Sequence, residues 1–457
     1  MRLWKKLRER MMRHPYRMVS ELGAVMTYED LVIFAERFAE NLTDGYYGIL
    51  CHSELGAAMA VLAGFAAGRP VIPLPVRYGR EYYEKILGFA EPPALITDLG
   101  DGLGVIGFVD AQKASSRVAD GTAVILFTSG STGVPKGVML SGDNLLTNIV
   151  DISEYFPVSD DDTILISRPL YHSSVLTGEF LTALWNGAKI VFSSEAFQPK
   201  NILELMKKHN ITVFGSTPTL LSMLSRFAKG KEGIGVRLLS VSGECMTDGM
   251  AKVIRSGFPD AMVYCGYGLS EASPRVAYLP PELFDVSPTV AGLPLSHVEL
   301  RIAKSGRSGH GEVLVRGDSV MLGYFGDKER TDSILRDGWL HTGDMGYFDN
   351  KGMLVIKGRR DDMIIRAGMN IYPAEIENAL SADARVTDVL AYGFERNGTR
   401  EIGLKICGDF TDKAEVLRLC RKSLPSFQIP SRIELTDNAD TLCGGKKKRK
   451  READTCA

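Results

Sequence analysis

The stretch ILFTSGSTGVPKGVML, residues 125–140, decides how this chain is read. It leaves an apolar run, Ala123 to Phe127, that has the look of a buried strand. Four hydroxyl side chains and two glycines follow between Thr128 and Gly133, then Val134, Pro135, Lys136 and Gly137. Glycines let backbone N–H groups crowd around an anion, hydroxyls add donors, and a lysine adds charge. That combination suits a polyphosphate. It is not the P-loop NTPase pattern, which runs G-x-x-x-x-G-K-[ST] straight into a helix. Here the chain returns to strand before a helix beginning at Ser141. A plain flexible loop between two strands is the bland alternative, but this order of residues is too unusual to favour it.

Working outward, the 457 residues are too many for one small core, so two or more domains are expected. Lys and Arg total 54 against 56 Asp and Glu, which is not the balance of a chain built to coat nucleic acid. Seven scattered cysteines (51, 245, 265, 407, 420, 443 and 456) contain no C-x-x-C pair and suit a reducing cytosol. A cytoplasmic location is therefore expected. The first eighteen residues are basic and amphipathic but lack the apolar stretch of a secretory signal, and they read as a helix. Leu55 to Gly68 is too short to span a bilayer and reads as a buried helix, so no transmembrane segment is expected. One local oddity remains: six consecutive basic residues, Lys446 to Arg451, following two glycines. Alone they are equally a solvated tail, a nucleic-acid contact, an import signal, or the setting of a catalytic lysine.

Apolar runs at 123–127, 163–166, 189–192 and 238–241 alternate with helical patterns at 200–210 and 219–227, which predicts α/β architecture with buried sheets. From Glu299 the texture turns to short alternating runs separated by glycine, as in antiparallel strands. After GRRDD, residues 358–362, about ninety-five residues have strand–helix–strand patterning. A hinge is placed at Asp361, dividing 1–360 from 361–457.

TSGSTGVPKG resembles the phosphate-loop signature of the adenylate-forming superfamily, which comprises acyl- and aryl-CoA synthetases, adenylation domains of nonribosomal peptide synthetases, and luciferases. The family's other motifs have counterparts in order. They are MTYEDL (26–31), AAGRPVIPL (66–74), RPLYHSS (168–174), YGLSEAS (267–273), HTGDMGYFD (341–349) and GRRDDMIIRAGMNIYPAEIE (358–377). The resemblance covers nearly the whole chain. It implies a large N-terminal domain of two α/β sheet subdomains and a small β-barrel-like subdomain, hinged to a small α+β lid.

The resemblance also implies a reaction: a carboxylic acid is activated by ATP and Mg²⁺ as an acyl-adenylate, then passed to a thiol. Bringing two anions together requires cations and a metal to screen them. Thr128, Ser129, Gly130, Ser131, Thr132, Gly133 and Lys136 would hold the phosphates, and Glu271, with Thr128, the Mg²⁺. Ser270 would meet the α-phosphate. Tyr267 with Gly268, and Ser242, Gly243 and Glu244, would border adenine; Asp344 and Arg359 would hold the ribose. Surface or turn roles are the bland alternatives for Glu271 and Asp344.

His172 resembles the acyl/aryl-ligase histidine at the carboxylate pocket. No acid stands among Tyr171, His172, Ser173 and Ser174, which disfavours an α-amino acid. The walls expected at Tyr171, Val175, 214–219 and Leu269 are mostly uncharged and suit a fatty or aromatic acid. Gly368 would open the thiol tunnel. The acceptor is coenzyme A by family frequency, with the phosphopantetheine arm of a carrier protein as the alternative. A chain of this kind could also serve as a freestanding adenylation protein or as a catalytically weakened AMP-binding regulatory protein. Gly445-Lys446 with Arg449 preserves the family's closing G-K-x-x-R, so Lys446 becomes the catalytic candidate, with Lys447 and Lys448 as neighbouring registers.

Overall fold

The computed structural model describes residues 1–99, 102–107, 117–128, 136–193, 195, 197–304, 310–366, 369–396, 399–436, 442–443 and 446–447. A nine-stranded sheet runs in the order Leu293–Pro294, Arg275–Leu279, Met262–Gly268, Leu238–Ser242, Val213–Ser216, Thr163–Ile166, Lys189–Phe192, Met18–Glu21, Ala24–Thr27. Pairing is parallel from Met262–Gly268 across to Met18–Glu21 and antiparallel at both edges. A seven-stranded sheet runs Gly323–Tyr324, Lys136–Ser141, Thr122–Thr128, Val71–Pro73, Tyr47–Leu50, Ala94–Leu99, Gly102–Gly107. The strands and helices expected from the apolar runs all form, and the fold is α/β.

Helices sandwiched between the two sheets make one shared core. The helix Glu54–Ala67 lies there with Leu55, Val61, Leu62 and Phe65 buried. Ser53 Oγ caps its start at Gly56 N, 2.8 Å, and Gly68 ends it at φ +65°. The basic helix Arg2–Met11 buries Leu3, Trp4, Leu7 and Met11 in the same core. At about 1.5–3 kcal/mol for each large apolar side chain, that stripe holds the helix to the body. Side-chain alternation along Thr122–Thr128 matches the layers. Val124 and Leu126 face the shared core, while Ile125 and Phe127 face a separate cluster with Ile72, Leu95 and Phe325. On the far side of the nine-stranded sheet, helices Pro199–Lys208, Pro218–Ala228 and Asp248–Gly257 cover Leu165, Phe214, Leu239 and Val263.

The antiparallel texture after Glu299 is a five-stranded sheet of Val298–Lys304, Gly311–Gly317, Leu335–Arg336, Trp339–Phe348 and Leu354–Arg359. Beyond a turn at 360–363, the hairpin Ile364–Arg366/Met369–Ile371, a three-stranded sheet and helices Pro373–Ser381 and Lys413–Ser423 build a second core. It includes Ile364, Ile376, Leu380, Val389, Leu404 and Leu419. Among the described residues no apolar cluster contains members from both sides of that turn. Contacts across it include Asp248 N donating to Asn378 Oδ1, 3.2 Å, and the ion pair Lys357–Glu375, 2.6 Å. No helix among the described residues is long and apolar enough to cross a membrane.

Candidate active site

Thr128 ends one strand and Lys136 begins the next, and the two are directly paired across the antiparallel ladder. The intervening loop, with Ser129, Gly130, Ser131, Thr132 and Gly133, lies outside the described residues. Its two ends are therefore fixed side by side. Lys136 is half-buried, and burial, followed by the nearby charge of Arg330, pulls its pKa below the ordinary lysine value. Glu271 and Asp361 act in the opposite direction. A desolvated cation with an incomplete set of counter-charges is prepared for an incoming anion.

Tyr324 organises the opposite wall. Its hydroxyl donates to Glu271 Oε1 at 2.7 Å, and its ring centroid is 5.8 Å from Lys136 Nζ and 5.5 Å from the Arg330 guanidinium carbon. The bond uses one carboxylate oxygen of Glu271 and leaves Oε2 as a hard donor beside the lysine. No group of three or more His, Cys, Asp or Glu among the described residues could hold a metal. One carboxylate near Lys136 instead fits Mg²⁺, which keeps several waters and arrives with its phosphates.

A third cluster completes the constellation. Asp344 and Arg359 are paired residues on adjacent strands. Asp344 is 6% exposed; Oδ2 accepts from the Tyr267 hydroxyl at 2.6 Å and Oδ1 is 2.8 Å from Arg359 Nε. Thr342 steadies the turn, its Oγ accepting from Asp344 N at 3.0 Å and its carbonyl from Arg359 at 2.9 Å. Burial pushes the Asp344 carboxyl above the usual carboxylate range, with Arg359 and Tyr267 opposing that rise. A carboxylate offers about four lone-pair sites, so two remain for a pair of neighbouring hydroxyls.

The AMP-binding enzyme family matches residues 7–325. The chain belongs to this family. It is 32% identical over 341 residues to a feruloyl-CoA synthase of an Amycolatopsis species, covering 72% of this chain and 68% of that one. Among solved structures it is similar to ATP-bound MatB from Rhodopseudomonas palustris, with a TM-score of 0.86, 25% identity, and 99% and 98% of the two chains covered. It is also similar to o-succinylbenzoate CoA synthetase (MenE) from Bacillus subtilis in complex with its acyl-adenylate intermediate. There the TM-score is 0.81, the identity 25%, and the coverage 98% and 97%.

The remaining residues singled out in this AMP-binding enzyme fall into three groups. In the first, Ser270 Oγ shares a 3.0 Å hydrogen bond with Ser173 Oγ, and His172 Nε2 lies 3.1 Å from the Tyr78 hydroxyl. Tyr78, Tyr171 and His172 pack ring against ring, with centroids 4.0–5.9 Å apart. Burial raises the Tyr78 phenol, which keeps it a neutral hydrogen-bonding partner for the imidazole. In the second, Ser242 closes its strand, and Gly243 takes φ +96°. Glu244 Oε2 accepts from Thr219 Oγ at 2.7 Å and Thr219 N at 3.2 Å. Gly268 closes the strand that carries Tyr267, at a bulge.

The last group belongs to the C-terminal part. Asp361 is exposed in the turn after Arg359, and Gly368 lies outside the described residues. Lys446 and Lys447 form a short strand paired with Leu442–Cys443; Lys448 is outside the described residues. Sequence reading missed Tyr324, Tyr78 and Ser173 as partners of site residues. Each is distant in the chain from the residue it serves, by 53, 94 and 97 positions respectively. Only the GYFGDKERTD segment, an aromatic between glycine and a run of charges, offered a hint of the first.

Proposed function

We propose that this chain is an ATP-dependent, AMP-forming acid–thiol ligase that activates a fatty or aromatic carboxylic acid and delivers it to coenzyme A. The observation that carries the reading is the Tyr267–Asp344–Arg359 cluster, whose buried carboxylate keeps lone pairs free for a ribose. The feruloyl-CoA synthase and o-succinylbenzoate CoA synthetase similarities support the acid–CoA chemistry. Tyr267 and the 242–244 segment border adenine, and Asp344 and Arg359 hold the ribose. Thr128 to Lys136 grips the phosphates. Glu271 and Thr128 would hold Mg²⁺, whose charge would screen the phosphates as pyrophosphate leaves. His172 and Ser270 orient the acid against the α-phosphate.

We assign residues 361–457 to a lid that turns about Asp361, with Lys446 entering for adenylation and Gly368 lining the thiol path. A carrier-protein phosphopantetheine arm is the second acceptor to test. We place the enzyme in the cytoplasm, in keeping with Cys51, Cys265 and Cys420, which are buried free thiols. The experiment is ATP–pyrophosphate exchange by the full chain against fatty, aromatic and amino acids, followed by addition of coenzyme A or a phosphopantetheinylated carrier protein. Acid-dependent exchange followed by an acyl-CoA product is expected. Retained ATP binding with no exchange for any acid would overturn the enzyme reading in favour of a regulatory one. Exchange with amino acids alone would make it a freestanding adenylation protein.

A further inference from the structure

Two glycines on one face of the nine-stranded sheet leave niches at the ends of its parallel strands. Gly215 is paired with Ser240, and Gly266 with Ser242, and Ser240 and Ser242 point to the same face. A Cβ on Gly215 would stand 2.5 Å from Glu179 Oε1, and one on Gly266 would stand 3.0 Å from Arg275 Nε. Charged side chains therefore occupy the space where apolar ones would ordinarily pack. They enter from two directions. Glu179 comes from the helical turn Leu176–Leu181 that follows His172, and Arg275 from the strand that follows Glu271. The Arg275 guanidinium also lies 3.2 Å from where a Cβ of Gly178 would be, so it spans the gap between that turn and the sheet.

The charges in this gap do not balance. Arg168 pairs with Glu179 at 2.5 Å, with both side chains at least nine-tenths buried. Arg275, 3% exposed, meets the Ser240 hydroxyl at 3.5 Å and the Tyr155 hydroxyl, and makes no ion pair among the described residues. Among the described residues, two arginines and one glutamate leave Arg275 without an ion-pair partner. Arg168 Nε, Glu179 Oε2 and Ser242 Oγ are also buried without hydrogen-bond partners among the described residues. A buried charge is costly unless paired, so an arrangement like this is explained by a ligand that completes it. The mostly uncharged wall expected from sequence is thus lined at its inner end by arginine.

Location identifies the ligand. Ser173, bonded to Ser270, marks where the reacting carboxylate sits under the proposed function. Gly178 is five residues farther along the same helical segment, about 7 Å away at helical rise. We infer that the acid this enzyme activates carries a second carboxylate, several atoms from the first, which pairs with Arg275. This rests on the ligase reading and narrows its substrate to a dicarboxylic acid. Arg275 is then the specificity-determining residue, and the Arg168–Glu179 pair and Ser242 supply the adjoining hydrogen bonds.

The test compares succinate, glutarate, adipate and pimelate with their monomethyl esters in pyrophosphate exchange. At least one diacid should exceed its half-ester in kcat/KM on the order of 100-fold, the loss typical when a buried charge pair is broken. Arg275→Leu should erase that difference, and Arg275→Lys, which keeps the charge should the leucine variant fail to fold, should retain part of it. Half-esters that serve the wild type as well as diacids would overturn the inference. Diacid binding is also measured directly by calorimetry, with a non-hydrolysable ATP analogue present. Binding that Arg275→Leu abolishes, with no exchange for any acid, keeps this inference while refuting catalysis. Absence of both binding and exchange for all four diacids refutes the inference.

Discussion

Tyr324 does three things at once. Its hydroxyl holds Glu271, its ring faces Lys136, and the same ring lies against Arg330. Tyr324→Phe should keep the ring contacts while freeing the carboxylate to reorient. A hydrogen bond to a charged group contributes about 1.5–3 kcal/mol, so the Mg²⁺ concentration for half-maximal exchange should rise about tenfold or more. A magnesium titration checks this, and an unmoved midpoint would remove Tyr324 from the metal's support. His297 offers a different residue-scale test. Its Nδ1 lies 2.5 Å from Asp151 Oδ1, and that hydrogen bond raises its pKa above the ordinary 6.5. Burial raises Asp151 even though His297 pulls it down. A raised histidine stabilises the fold fully below about pH 6.5, and the contribution fades as pH climbs through the raised value. The melting temperature of His297→Gln should therefore fall below wild type at pH 6 and match it by pH 9. With the imidazole half-exposed, the difference should stay under about 1 kcal/mol.

The helix Gly142–Tyr155 shows how one element links the strand begun by Lys136 to Arg275. Ser141 ends the strand begun by Lys136 and caps the helix, its Oγ accepting from Asn144 N while Asn144 Oδ1 accepts from Ser141 N. Two turns later Asn148 clamps the backbone of Arg275, accepting from its N–H at 3.1 Å and donating to its carbonyl at 2.8 Å. Ser141→Ala should cost about 1 kcal/mol in urea unfolding, the usual toll for a lost N-cap. Local chemistry of this sort is what sequence discloses. The capping serine, the apolar runs and the glycine–hydroxyl–lysine loop are each contained in a dozen residues. The pairings Ser173–Ser270, Tyr78–His172 and Arg275 against Gly178 are not, because they exist only once strands and helices from separate motifs converge. The identities of Asp344 and Arg359 were legible, but their shared ladder position was not, since register is set by long-range pairing.

At the scale of the molecule, two bodies with separate apolar cores meet near the turn that carries Asp361. Asp361→Pro, which restricts the backbone there, should slow thioester formation more than adenylation. Single-turnover assays of each step measure this, and equal losses would argue against a pivot. The basic run at 446–451 enters here as well. If Lys446 bridges acid and α-phosphate, Lys446→Ala should slow adenylation on the order of 100-fold while Lys447→Ala stays near wild type. The reverse result moves the register by one residue, and two silent substitutions make the run non-catalytic and return it to the import-signal or polyanion-binding reading. The junction itself has a thermodynamic signature. It is held by contacts such as Asp248–Asn378 and Lys357–Glu375, with no apolar cluster among the described residues bridging it. Parting such a seam wets little oily surface. If the two bodies reorient there, heat capacity should stay almost unchanged, and salt, more than temperature, should set how often they part.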